Sequence, residues 1–154
     1  MRSLNLWYRS QIFWEVFIAD YITKVCAEAF LTGKPFQVAD FLTFKLAYNY
    51  GISWSLFSTQ YFLGWALISV VTTAVLTLLA YQTTERQKEG YSVVGATLIL
   101  AGGFANLVDR LRVGAVTDFI SISFGGWSFP TFNLADIAIT VGVCIMVYEY
   151  VMEE

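Results

Sequence analysis

An uncharged, apolar segment at residues 61–84 constrains the fold of this chain more than any other feature. A helix needs about 20 predominantly apolar residues to cross the hydrocarbon core of a bilayer, so this segment predicts a membrane span at about residues 61–82. Charged residues make up only 14% of the 154 residues, against roughly 25% in soluble domains. Such a chain cannot cover a water-soluble surface, and we predict a polytopic membrane protein.

Three more segments have the length of membrane spans. Residues 91–108 carry no charge and contain Gly and Ala toward their end, where small side chains allow close helix contacts. Residues 11–31 and 132–151 are mostly apolar but are interrupted by ionisable side chains. Together the four segments predict a mainly α membrane protein with four transmembrane helices, folded as a single integral-membrane domain over residues 1–154.

Two stretches between the spans have the composition of strands rather than of lipid-facing helix. Residues 41–58 and 113–132 are rich in β-branched and aromatic side chains, and Gly125-Gly126 in the second stretch is a hairpin signal. Unpaired strand edges are too costly in hydrocarbon, whereas Trp and Tyr favour the membrane interface. We therefore expect a small β-sheet at the surface of the membrane.

The residue types exclude several kinds of chemistry. The chain has no histidine, which excludes Ser-His-Asp and Cys-His nucleophiles and every His-ligated metal site. Its two cysteines, Cys26 and Cys144, give neither a disulfide framework nor metal-ligand spacing, so we expect no metal and no cofactor. A net charge of -3 without a basic patch argues against nucleic-acid binding. Catalysis must therefore use carboxylates, lysine or hydroxyls.

Ionisable residues inside a span need a reason, because an Asp at a helix centre costs about 2.5 to 3.5 kcal/mol. Asp20 and Lys24 are at positions i and i+4 and face the same side of one helix. They either neutralise each other inside the bundle or support a site. Asp109 and Arg110 end the third span, where an interfacial ion pair is the simplest interpretation.

Asp118 and Asp136 are the strongest candidates for catalysis. If the hairpin turns at Gly125-Gly126, positions whose numbers sum to 251 face each other, which places Asp118 across from Asn133. The fourth span starts near Asn133, and Asp136 follows at i+3 on the same helix face. Two carboxylates in contact share a proton, so that one activates water while the other polarises a scissile carbonyl. The spacing alone is equally compatible with two unrelated acidic residues.

Four ordered sequence blocks resemble lipoprotein signal peptidase, also called signal peptidase II. They are GGFANLVDRLRVGAVTDFI, FNLADIAITVG, Asp20-Tyr-Ile-Thr-Lys24 and Asn49-Tyr-Gly51-Ile-Ser-Trp-Ser55. Three positions depart from the usual family residue: Ala105 replaces Gly, Trp54 replaces Phe and Thr117 replaces Val. None of these is a candidate catalytic position.

The resemblance implies a bacterial inner-membrane aspartic endopeptidase that removes signal peptides from diacylglyceryl-modified prolipoproteins, cutting just before the lipidated cysteine. It implies four spans and an active site with a β-cradle on the extracytoplasmic side. The catalytic pair falls on Asp118 and Asp136. Family positions that line or support the site match Asn49, Asn106, Arg110 and Asn133, and those with a structural role match Asp20, Lys24 and Asp109. Prolipoproteins and membrane lipids are the expected partners, and a monomer is expected.

Three other functions stay open on the residues alone. A proton- or ion-coupled transport component would use the acidic residues and Lys24 as a relay. A serine–lysine peptidase would use Lys24 with a hydroxyl such as Ser53 or Ser55. In a purely structural membrane subunit, so many acidic residues would be a cost without a benefit.

Overall fold

The computed structural model describes residues 2–51 and 62–152. Within these ranges the chain forms four helices and four strands, in the order α1 (Arg2–Phe30), β1 (Phe36–Ala39), β2 (Leu42–Asn49), α2 (Phe62–Glu89), α3 (Val94–Val113), β3 (Val116–Phe124), β4 (Trp127–Ser128) and α4 (Leu134–Met152). The protein is therefore mainly helical with a small antiparallel sheet, as the sequence predicts.

Among the described residues, the helices long and apolar enough to cross a membrane are three: Leu63–Glu89, Val94–Val113 and Leu134–Met152. They agree in position with the second, third and fourth predicted spans. The first predicted span, residues 11–31, falls almost entirely within α1, and this part of α1 carries four charged residues: Glu15, Asp20, Lys24 and Glu28. That α1 is helical is confirmed, and its crossing of the membrane stays a prediction.

α1 begins well before its predicted span, and α2 and α3 continue well past theirs, because a helix need not end where the hydrocarbon ends. α2 continues to Glu89 and α3 to Val113, each with two basic residues in its last turn. Cations there interact favourably with the negative end of the helix dipole. α3 stops at Gly114, which adopts a left-handed φ of 79° and donates its N–H to the carbonyl of Arg110. This turn directs the chain into β3.

α3 is the central helix and packs against α1, α2 and α4. A Cβ added to Gly142 of α4 would lie only 2.7 Å from the carbonyl oxygen of Gly95 in α3, so the two backbones are in direct contact. A Cβ added to Gly103 would lie 2.6 Å from the side chain of Leu76 in α2. In its C-terminal half α3 buries three polar side chains: Asn106, Asp109 and Arg110.

The sheet has the strand order β1-β2-β3-β4, and β2 pairs antiparallel with β3. The β-prone stretch at residues 41–58 supplies β2, while residues 52–58 of that stretch, including Ser53, Trp54 and Ser55, lie outside the described residues. β1 is a short edge strand with a bulge that the composition does not reveal. The sheet joins the ends of α1 and α3 to the start of α4.

The hairpin between β3 and β4 turns at Gly125-Gly126, as predicted, and both glycines have positive φ. Two pairs next to the turn follow the expected register, Ser123↔Ser128 and Phe124↔Trp127. Farther from the turn the predicted register is wrong, since the next bridge joins Ile120 to Phe132 and is offset by one residue. Pro130 has no backbone N–H with which to continue the ladder, which accounts for the offset.

Candidate active site

The start of α4 is built as a capping box. Asn133 precedes the helix, and its Oδ1 accepts the backbone N–H of Asp136 at 2.9 Å. Asp136 Oδ2 in turn accepts the backbone N–H of Asn133 at 3.3 Å. The reciprocal pair satisfies N–H groups that have no partner within the helix, and the helix dipole favours a carboxylate at this end. Asp136 is therefore fixed in the first turn of α4.

Asp118 reaches the same point from β3. Asn133 Nδ2 donates to Asp118 Oδ1 at 2.7 Å, and Asn133 is fully buried. The predicted convergence of two carboxylates and one amide is therefore present. The sequence predicted that Asp118 and Asn133 face each other as strand partners. Instead, the strand partner of Asp118 is Ala47 of β2, and Asn133 reaches Asp118 through its side chain.

A second amide, Asn106 of α3, connects the carboxylates to Lys24. Asn106 Nδ2 donates to Asp136 Oδ1 at 2.9 Å. Its Oδ1 accepts from Lys24 Nζ at 2.7 Å and from Asn133 Nδ2 at 3.2 Å. Since a cation and another amide fix the orientation of Asn106, its NH₂ group is directed at Asp136.

Asp20 and Lys24 form the buried ion pair that their spacing predicts, with 2.8 Å between Lys24 Nζ and Asp20 Oδ2. Asp20 Oδ1 also accepts the backbone N–H of Ala135 at 2.8 Å, in the first turn of α4. Lys24 Nζ lies 3.7 Å from Asp109 Oδ2. The pair thus both neutralises itself and ties α1 to the elements that carry the candidate carboxylates.

Asp109 and Arg110 take different partners, which replaces the ion pair considered from the sequence. Asp109 accepts the backbone N–H of Thr117 at 2.6 Å and an N–H of Arg112 at 2.8 Å. Arg110 donates to the carbonyl oxygen of Gly51 at 2.9 Å. In the described part of the chain, no three His, Cys, Asp or Glu side chains are grouped so as to hold a metal ion.

A cavity of about 490 Å³ opens beside α3 and α4. Its wall includes four of the predicted site residues, Asn49, Asn106, Arg110 and Asp136. Asp118 does not line this cavity and is only 3% exposed. Asp136 is therefore the carboxylate that a molecule in the cavity meets directly, and Asp118 lies behind it, joined through Asn133.

The surroundings of Asp118 favour its protonated form. Burial, and next the charge of Asp136, raise the pKa of Asp118 to about 7. Hydrogen bonds from Asn133 and Asn49 and the charge of Lys24 oppose this shift without cancelling it. Close to neutral pH, this carboxyl group can hold a proton that it can donate.

Three residues near the site were not identified as site residues from the sequence: Glu28, Arg112 and Thr117. Arg112 pairs with both Glu28 and Asp109, which links the ends of α1 and α3. Thr117 Oγ1 donates to Glu28 Oε1 at 2.9 Å, directly beside Asp118 in the chain. The only sequence signal for this cluster is Thr117 itself, which stands where the family usually has Val.

Sequence comparison identifies relatives along most of the chain. The family model described as signal peptidase (SPase) II matches residues 12–152. The lipoprotein signal peptidase of Coxiella burnetii (strain RSA 493 / Nine Mile phase I) is 38% identical over 138 residues, which are 86% of this chain and 82% of that protein. The lipoprotein signal peptidase of Hydrogenovibrio crunogenus is 35% identical over 139 residues, covering 86% of this chain and 78% of that protein.

Solved structures agree with the sequence relatives. A bacterial membrane enzyme determined by the in meso method at 2.3 Å superposes with a TM-score of 0.81 at 28% identity, covering 95% of this chain and 88% of that chain. A second such enzyme, at 1.9 Å, gives a TM-score of 0.77 at 29% identity and covers 92% and 90%. The chain therefore belongs to the signal peptidase II family, the multi-pass membrane proteases that remove signal peptides from prolipoproteins.

Proposed function

We propose that this protein is an aspartic endopeptidase whose catalytic pair is Asp118 and Asp136. The observation that carries the proposal is the position of Asn133. Its backbone N–H donates to the carboxylate of Asp136, and its side-chain amide donates to that of Asp118. One residue holds both carboxyl groups, one of them lies on a cavity wall, and the charge of Asp136 contributes to the raised pKa of Asp118, as expected for two neighbouring carboxyl groups. Asn106 donates a further hydrogen bond to the other carboxylate oxygen of Asp136.

In the proposed reaction, the Asp136 carboxylate takes a proton from a water molecule as that water attacks the scissile carbonyl carbon. Asp118 donates its proton to the carbonyl oxygen, which gives a neutral tetrahedral intermediate. The proton held by Asp136 then passes to the leaving amine, the C–N bond breaks, and Asp118 regains its proton from the collapsing hydroxyl group. Because Asp118 is almost fully buried, the cavity wall beside it must open when the substrate binds.

The substrate in this proposal is a diacylglyceryl-modified prolipoprotein, cut just before its lipidated cysteine. The cavity supports it because the wall combines polar groups with apolar side chains, among them Phe132, Ile137 and Val141. A peptide can bind the polar groups while its acyl chains stay in lipid. We further propose a monomer in the bacterial inner membrane, with α1 as the fourth span and the active site on the extracytoplasmic side.

The substrate proposal predicts that the purified protein cleaves a prolipoprotein only after diacylglyceryl modification. The acyl chains concentrate the peptide at the membrane surface, so we expect kcat/KM to be at least about 100-fold higher for the modified peptide than for its unmodified form. A gel-shift assay measures conversion, and mass spectrometry of the products locates the cut. Equal cleavage of both peptides, or a cut that is not before the cysteine, would contradict the proposal.

The raised pKa of Asp118 predicts the pH dependence of cleavage. Activity requires the protonated form of Asp118, so kcat/KM, which reports the pKa of the free enzyme, should fall by about tenfold per pH unit above pH 7. Initial rates between pH 5 and 9 measure this. A rate that keeps rising through pH 9 would exclude a proton donor with this pKa.

Protein stability gives a second readout of the same carboxyl group. The folded-state pKa of about 7 lies above the ordinary value of 3.8, so the folded protein binds the proton more tightly. The contribution of Asp118 to the free energy of unfolding is therefore complete below pH 3.8 and is lost as the pH rises to 7. Asp118→Asn should remove this part of the pH dependence.

A further inference from the structure

Arg9 lies where two cavities meet, away from the candidate active site. The positions of residues 9 and 24 are separated by about 22 Å along α1 at 1.5 Å per residue. One cavity of about 610 Å³ lies between α1, α2 and α3, and another of about 380 Å³ lies beside the turn between α2 and α3. Arg9 and Thr97 line both, so the two cavities adjoin at these residues.

The larger cavity is an apolar groove. α1 and α2 each pack against α3 and leave this gap between them, lined by Phe13, Leu76, Ala80, Leu100, Phe104 and Leu107. Its residues on α2 run from Thr73 to Thr84, which is about 16 Å along a helix. Half of the hydrocarbon core of a bilayer is about 15 Å thick. The groove is therefore about as long as the depth that a lipid acyl chain spans within one leaflet of the bilayer.

The smaller cavity is a mouth of mixed polarity at the end of this groove, lined by apolar residues and by Tyr8, Arg9, Gln87 and Ser92, whose hydroxyl donates to Glu149. Arg9 Nη1 donates to Gln87 Oε1 at 2.9 Å. This bond commits the oxygen of the Gln87 amide, while its Nε2 is buried and has no hydrogen-bond partner among the described residues. A buried donor without an acceptor is unfavourable, and here it lies beside a guanidinium group.

We propose that this site binds one anionic glycerophospholipid, with its phosphate at Arg9 and one acyl chain in the groove. A phosphate offers acceptor oxygens to the guanidinium group of Arg9. The negative charge of an anionic lipid compensates the charge of Arg9, whereas a choline headgroup adds a further cation to a mouth that also has Arg86 over the ring of Tyr91. The lipid would also fill the gap between α1 and α2.

The test is competitive binding to the purified full-length chain in detergent, measured by native mass spectrometry. Phosphatidylglycerol and phosphatidylcholine with identical acyl chains are added in equal amounts. We expect one bound lipid per chain, with phosphatidylglycerol favoured about fivefold, the ratio that corresponds to about 1 kcal/mol for a single cation near an anionic lipid. Equal binding of the two lipids would overturn the proposal.

Three variants separate the parts of the site. Arg9→Gln should bring the preference close to one, whereas Lys88→Gln should retain it, because Lys88 lies outside both cavities and pairs with Glu85 at 2.8 Å. Ala80→Phe, which narrows the groove, should lower phosphatidylglycerol binding while the protein still elutes as a single folded species. An unchanged preference in Arg9→Gln would refute the headgroup contact, and unchanged binding in Ala80→Phe would refute the acyl contact.

Glycerol phosphate distinguishes a lipid site from a plain phosphate site. It has the headgroup chemistry without acyl chains, so it should not displace bound phosphatidylglycerol at tenfold excess over the lipid. Such an excess offsets a tenfold weaker affinity, or about 1.4 kcal/mol of binding free energy. Displacement would show that the mouth binds a free phosphate ester and would overturn the lipid proposal. Because no peptide substrate is present, the result is independent of the proposed catalytic pair.

Discussion

We expect that replacing either Asp118 or Asp136 with Asn lowers kcat by at least about 10³-fold, while the protein stays folded and membrane-inserted. Asn has the size of Asp but can neither take a proton from water nor donate an acidic one. For Asp136→Asn the general base is lost, and for Asp118→Asn the proton donor to the carbonyl oxygen is lost. Single-turnover cleavage of a diacylglyceryl-modified prolipoprotein, followed by gel shift, measures both losses.

The matched control is Asp40→Asn. Asp40 is an exposed acidic residue in the turn between β1 and β2, so this variant removes a carboxylate from the same sheet without touching the site. It should cleave at the wild-type rate. The double variant Asp118→Asn/Asp136→Asn should be about as inactive as either single variant, because the two groups act as one unit. Full activity in either single variant would rule out an aspartic mechanism that uses both residues.

The capping-box relationship also explains why the candidate pair is visible in the sequence. Asp136 follows Asn133 at i+3, so any helix that starts there brings the two side chains together. The Gly125-Gly126 turn returns the chain toward Asp118, and a register error of one residue does not prevent Asn133 from reaching it. Local rules therefore predicted that these three residues converge, although the strand pairing that they gave for Asp118 was wrong.

Other parts of the site depend on contacts that no local rule predicts. Glu28 and Thr117 belong to a helix end and a strand that are distant in sequence, and only the packing of α1 on α3 brings them together. Periodicity predicts on which face of a helix or strand a residue lies, but it does not predict which residues of other elements will contact that face. For the same reason the sequence suggested Arg110 as the partner of Asp109, whereas the turn after α3 places Thr117 and Arg112 there.

The cluster around Lys24 leads to the largest expected effect on stability. Lys24 is buried, and its Nζ contacts Asp20 at 2.8 Å, Asn106 at 2.7 Å and Asp109 at 3.7 Å. Removing one partner of a buried ion pair leaves an uncompensated charge, which typically costs about 3 to 5 kcal/mol. Lys24→Met should therefore lower the free energy of unfolding by about that amount. Reversible unfolding in mixed detergent micelles measures it.

A double-mutant cycle tests whether the lost stability comes from the stranded charge of Asp20 or from the lost packing of the lysine chain. Asp20→Asn removes the charge, and its amide oxygen can still accept the backbone N–H of Ala135, which Asp20 Oδ1 accepts at 2.8 Å. If charge dominates, Lys24→Met/Asp20→Asn should be more stable than Lys24→Met by about 1 to 3 kcal/mol. Asp109 has Arg112 and the Thr117 N–H as further partners, so Asp109→Asn should rescue Lys24→Met less well than Asp20→Asn does. Equal stability of the single and double variants would assign the loss to packing and would show that the charge of Lys24 does not hold this cluster together.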